Sequence, residues 1–157
     1  MKNLRGVEVY FPVRDVGVDL LVVKGSKHVG IQVKESRYYT NYRWKSGHIG
    51  HSWHQVRWDK LVKDKDRVSF YVFITYLPSV KGHRIGFFEN RFLVVPTAEL
   101  ERRLEVKKIR GRNMYYFCFH FEGEHVYDEG TTVDISDERA DYSRFLDAWH
   151  LIAQALE

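Results

Sequence analysis

Cysteine is almost missing from this 157-residue chain: Cys118 stands alone. A single thiol cannot close an internal disulfide, which fits a reducing compartment and leads us to expect a cytoplasmic protein. No apolar run approaches the roughly eighteen residues that a membrane-spanning helix needs. The opening MKNLRGVEVYFP has neither the apolar block nor the small-residue cleavage site of a signal peptide. With only three prolines, and no low-complexity tract or internal repeat, nothing marks a linker, and one domain over 1–157 is expected. The chain is not poor in hydrophobic residues (44%), so disorder is not expected.

Charge is present but unevenly spread. The net charge is +4, and between Lys34 and Arg67 nine Lys/Arg face four Asp/Glu, whereas from Asp128 to Glu157 two face eight. Such a basic half suits an anionic partner, although an excess of this size also arises on ordinary surfaces.

Hydrophobic periodicity places the elements. Residues 7–11, 18–24, 28–34, 68–77 and 114–121 read as strands, and 84–88 with 91–95 as a hairpin turning at Glu89-Asn90. Residues 35–52 have no period and read as a loop. Helices are expected over 53–63 with Ser52 as N-cap, over 97–104 with Thr97 as cap, and over 137–156. In the last, Tyr142, Phe145, Leu146, Trp149, Ile152, Ala153 and Leu156 form one apolar stripe. The pattern implies an α/β chain of the mixed α+β kind, a mixed sheet covered by helices.

The chemistry concentrates in GVDLLVVKGSKHVGIQVKES, residues 17–36. Gly25-Ser26 suits a two-residue type II′ turn, which makes the numbers of paired residues sum to 51. Val18 then faces Val33, Leu20 faces Ile31 and Val22 faces Val29, all on one apolar face; a slip by one residue would bury Gln32 and Lys34 instead. On the other face Asp19 lies across from Gln32, roughly 5 Å between Cβ atoms, with Lys34 two residues along and Gly17 and Gly30 leaving room. An acid, an amide and an ammonium so gathered can bind a hard cation and a phosphate. Asp19, Gln32 and the Val33 carbonyl are the oxygen donors, and Lys34 positions or deprotonates a water, or stabilises the transition state. Asp, Gln and Lys are equally at home on one wet face of a hairpin.

The strings G-V-D-L-L-V and I-Q-V-K resemble the core of the PD-(D/E)XK nucleases, including Holliday junction resolvases and Mrr-like nucleases; the Q-x-K form resembles that of cyanobacterial homing endonuclease cores. The resemblance covers about residues 5–36. It implies a restriction endonuclease-like central mixed β-sheet flanked by helices, Mg²⁺- or Mn²⁺-dependent hydrolysis of DNA phosphodiesters, and a homodimer. It makes Asp19 a metal ligand, Gln32 the variant second-strand position and Lys34 the catalytic lysine. Two departures stand out. Gln32 replaces the usual acid, and no N-terminal helix of the kind that often brings a Glu is expected; Glu8, on the first strand, either substitutes for it or is a solvated edge residue. Both departures also suit an inactive nuclease-fold module that binds DNA or serves in assembly.

Other groups were weighed beside these. Arg37, Tyr39, Arg43, Trp44 and Lys45 follow the Lys34 strand, either as a DNA-contacting loop or as aromatics tucked into a core with the charges reaching outward. Lys107, Lys108, Arg110 and Arg112 form a second basic cluster, either extending that track or simply solvated. His48, His51 and His54 recur every third residue, which suits a polar loop better than a zinc site. His28, close to the turn, reads as a surface histidine. Cys118, within an aromatic run, reads as buried core.

Overall fold

A computed structural model describes residues 6–14, 17–43, 47, 49–81, 84–107, 109–130 and 137–157. In chain order the strands are β1 (Val7–Tyr10), β2 (Leu20–Lys24), β3 (Lys27–Arg37), β4 (Tyr39–Arg43), β5 (Ile49–His51) and β6 (His54–Arg57). Helix α1 (Trp58–Asp64) follows, then β7 (Phe70–Lys81), β8 (Arg84–Pro96) and α2 (Thr97–Lys107). The chain ends with β9 (Met114–Phe117), β10 (Phe119–Glu122), β11 (His125–Asp128), a 3-10 turn at Ser143–Phe145, and α3 (His150–Ala155). Five strands make a mixed sheet in the order β1-β2-β3-β7-β8. Only β3 and β7 run parallel; the other neighbours are antiparallel. The mixed α+β class expected from the strand and helix pattern is the one observed.

The sheet is packed on both faces, because alternate residues of its central strands point opposite ways. Phe70 and Val72 of β7 join Val22, Val29, Ile31 and Val94 beneath Ala148, Ile152 and Leu156. Their neighbours Tyr71 and Phe73 join Leu93 and Val95 on the other side, covered by Leu61 of α1, Leu100 and Leu104 of α2, and Phe117 and Phe119. Completely buried aromatics such as Phe73 and Phe117 each contribute about 2–3 kcal/mol by leaving water.

Several expectations give way to long-range packing. The segment 35–52 is not a loop: β3 runs on to Arg37, and β4 pairs with β5. The helix expected over 53–63 begins only at Trp58; His54 and Val56 are buried while Gln55 and Arg57 are exposed, a strand's alternation, and β6 pairs with β9. Ser52 does not cap a helix, since its hydroxyl accepts the Phe119 N–H at 3.2 Å. Thr97 donates to the Val68 carbonyl at 2.5 Å rather than capping α2. Glu89-Asn90 is no turn, because β8 passes straight through it, opposite Leu77 and Tyr76.

The long helix expected over 137–156 is reduced to α3. Its apolar stripe divides between the two cores: Tyr142 and Phe145 join one, Ile152 and Leu156 the other, and Trp149 is exposed. The chain crosses the sheet edge between them. Leu146 bridges to Leu93, and Asp147 turns the backbone at φ +49, a conformation that no continuing helix tolerates. Cys118 separates β9 from β10, its N–H donating to Asp128 Oδ1 at 3.1 Å.

Candidate active site

The β2–β3 hairpin holds the expected register: Leu20 pairs with Ile31, Val22 with Val29 and Lys24 with Lys27. Gly25 takes φ +61 and Ser26 does not take a positive φ, the combination a type II′ turn requires. Val18 departs from expectation. It leaves the ladder and packs against the Phe73 core, on the face opposite Leu20, instead of facing Val33.

That departure shapes the site. Past the Leu20–Ile31 pair, the Val33 N–H has no β2 partner, and the Asp19 carboxylate accepts it at 2.6 Å. The same Asp19 oxygen accepts the Gln32 side-chain amide, whose nitrogen also reaches the Val33 carbonyl at 3.4 Å. The parallel register sets Gln32 beside Tyr71 and Lys34 beside Phe73. Asp19, Gln32 and Lys34 thus line one cavity of about 310 Å³, together with Gln55, Arg57, Lys60, Asp64 and Tyr71.

Asp64, at the end of α1, is the residue that the sequence reading missed. It is buried, and it lines the same cavity as the three hairpin residues. The glycines expected to leave room are filled. A β-carbon at Gly17, where φ is +82, would run into the Asp64 carboxylate, and one at Gly30 would run into the Arg67 carbonyl. Those absent side chains admit the turn after α1, in which the Asp64 carbonyl accepts the N–H groups of Arg67 (2.9 Å) and Val68 (2.8 Å). Only the paired glycine spacing at 17 and 30 hinted at such an approach. Burial first, then the charges of Asp64 and Asp19, push the Tyr71 phenol up to about 12, so this hydroxyl keeps its proton.

Behind the site, the buried His54 ring meets Phe73 edge-on at 5.2 Å, and its Nε2 lies 3.2 Å from Thr75 Oγ1. Burial pushes this imidazole down to about 3; the Lys34 backbone opposes that shift and the Lys34 charge adds to it. His51 is buried in β5, so neither histidine lies in a polar loop, and His48 lies outside the described residues.

The remaining candidates fall as follows. Glu8 is not brought to the cavity: it sits opposite Val23 in β1, with its carboxylate accepting the Tyr10 hydroxyl at 2.5 Å. Arg37 and Arg43 are exposed, and the Arg37 guanidinium lies over the Tyr39 ring at 5.1 Å. Trp44, Lys45 and Lys108 lie outside the described residues. His28 is exposed on β3. Lys107 belongs to no surface track: it is buried, paired with Asp128, bonded to the Tyr116 carbonyl at 2.8 Å, and set 4.1 Å from the Phe117 ring centre. Cys118 is buried beside this pair, and burial together with the Asp128 charge pushes its thiol up to about 12.

Among the described residues, no three His, Cys, Asp or Glu side chains gather in a metal-binding group. A hard divalent ion would therefore draw on Asp19 and Asp64 together with two neutral oxygens, the Gln32 amide and the Val33 carbonyl. This donor set suits Mg²⁺, which takes one or two carboxylates and completes its shell with water and phosphate. The amide must turn over to present oxygen, since nitrogen now faces Asp19.

No family model matches the chain, and no curated protein does. A solved bacterial homing endonuclease, I-Ssp6803I, aligns over 95% of this chain and 78% of its own, at 20% identity and a TM-score of 0.44. At that score the likeness carries no function across.

Proposed function

We propose that the chain is a divalent-metal-dependent endonuclease of the PD-(D/E)XK kind, hydrolysing DNA phosphodiester bonds at the Asp19–Gln32–Lys34 cavity. The observation that carries this reading is the convergence of a carboxylate, an amide and an ammonium on one concave surface, with a second, buried carboxylate behind them. When bound, Mg²⁺ or Mn²⁺ supplies Lewis acidity toward water and the phosphate. Asp19 and Asp64 hold their charge toward that position, with Gln32 and the Val33 carbonyl as neutral donors. Lys34 offers its ammonium to the attacking water or to the charge that builds on the phosphate oxygens. Arg37, at the end of the Lys34 strand, and Tyr39 and Arg43 of β4 are the proposed contacts to the DNA backbone, and a homodimer would let two such sites cut both strands.

The test is cleavage of plasmid and branched substrates with Mg²⁺ or Mn²⁺. Asp19→Ala and Lys34→Ala should abolish cutting, while DNA binding persists. Undiminished cutting by both variants would overturn the proposal.

A second reading, a nuclease-fold module that binds DNA without cutting it, draws on Gln32 in place of an acid and on the Gln32–Asp19 contact that occupies the donor oxygen. It expects salt-sensitive binding and no cleavage with any metal.

A further inference from the structure

Next to the candidate active site lies a second cavity, lined by Lys34, Glu35, Tyr39, Trp53 and Gln55. It shares Lys34 and Gln55 with the first, so the two form one groove. Its two lining rings remain open to solvent: Trp53 is 49% exposed and Tyr39 38%. They are nonetheless held in place. The backbone N–H of Trp53 donates to Ser36 Oγ at 2.8 Å, and Ser36 is buried in β3, two residues past Lys34. Its indole meets Tyr116 edge-on at 5.3 Å and lies 6.0 Å from His51, which in turn lies 5.9 Å from Tyr39.

Resting on the reading of the neighbouring site as a nuclease centre, we infer that this cavity receives an unpaired base of the substrate, stacked against Trp53 and Tyr39. Paired bases in a duplex cover one another's faces, so a fixed, exposed indole finds a stacking partner only where a nucleotide is single-stranded or turned out. The lining decides between base and phosphate: Trp53 and Tyr39 offer ring faces, which suit a base, while the cation Lys34 sits where this cavity meets the first. Lys34, shared with the first cavity, then meets the phosphate adjoining that base. The substrate class is DNA with unpaired nucleotides beside the cleavage point, such as a flap, a gap or a bulge.

The experiment compares two labelled DNAs, a plain duplex and the same duplex with a short single-stranded flap, by fluorescence anisotropy on the full chain. Calcium replaces magnesium so that nothing is cut. The wild type should prefer the flap; Trp53→Ala should weaken flap binding by about tenfold and duplex binding far less, while Trp53→Phe keeps most of the preference. Tyr39→Ala, which also removes a proposed backbone contact, should weaken both complexes and the flap complex more. A wild type without flap preference, or one whose preference survives both alanine variants, overturns the inference. A wild type that prefers the flap through Trp53 but cuts nothing with Mg²⁺ or Mn²⁺ supports the base site and overturns the nuclease reading alone.

Discussion

The carboxylate of Asp64 fills the space that Gly17 leaves by having no side chain: a β-carbon at Gly17 would lie 2.6 Å from Asp64 Cγ. A residue before β2 and a residue at the end of α1 are thereby locked together, and the contact sets the second carboxylate against the candidate site. Gly17→Ala meets both this overlap and a φ of +82 that an alanine adopts reluctantly. The expected loss is about 2–4 kcal/mol, read as a lower urea midpoint with an unchanged slope. An alanine variant as stable as the parent would mean that Asp64 is free to move away.

Gln32→Glu restores the acid usual in the family that the hairpin resembles. Without metal it sets a second carboxylate against Asp19 in place of an amide donor, and a cost of about 1–2 kcal/mol is expected. Added Mg²⁺ should remove that deficit and stabilise this variant more than the parent, since ligand charge raises affinity for a hard cation. Thermal unfolding in EDTA and in Mg²⁺ measures both quantities; equal shifts in the two proteins would argue against a cation at this position.

Asp64→Asn keeps the shape of the side chain and removes its charge. Cleavage should fall by about tenfold or more, and the Mg²⁺ concentration for half-maximal rate should rise. The Tyr71 phenol, held up partly by the Asp64 charge, should titrate lower than in the parent. Ultraviolet difference titration against a Tyr71→Phe control isolates that one phenol.

His54 makes stability depend on pH. Its folded pKa, about 3, lies below the ordinary 6.5, so the unfolded chain takes up a proton first as the solution is acidified. The contribution is therefore complete above pH 6.5 and drains away toward pH 3, by about 1.4 kcal/mol per pH unit. The Glu99 carboxylate, held down to about 2 by Arg102 and Arg103, loses its own contribution only below its ordinary 4.5. Unfolding free energies from urea titrations at pH 7 and pH 5 should differ by about 2 kcal/mol more in the parent than in His54→Gln. A difference of the same size in both would remove His54 as the cause.

Lys107→Ala separates structure from DNA binding. Its ammonium pairs with Asp128 in the interior, and loss of one partner strands the other charge. About 3–5 kcal/mol of stability should disappear while DNA affinity, measured on the folded variant, stays unchanged. Weaker DNA binding without destabilisation would return Lys107 to the surface track that the run of basic residues suggested.

What could be read along the chain were features set by neighbours in sequence. The Gly25-Ser26 turn and the alternation of Leu20, Val22, Val29 and Ile31 determine the hairpin register, and with it the meeting of Asp19 with Gln32. A two-residue turn leaves only one pairing that buries the apolar set, so local information suffices. The strand at 68–77 was legible for a similar reason, as an apolar, β-branched run buried on both faces. Tertiary structure decided the rest. The stripe from Tyr142 to Leu156 has helical spacing, yet its halves are drawn to opposite faces of the sheet, and burial in two cores outweighs one continuous helix. His54-Gln55-Val56-Arg57 carried a strand's alternation that became decisive only with β9 beside it. Asp64 and Trp53 join the groove because α1 and β6 fold back onto β3, and no spacing along the chain encodes a contact made by strands and helices that meet only after folding.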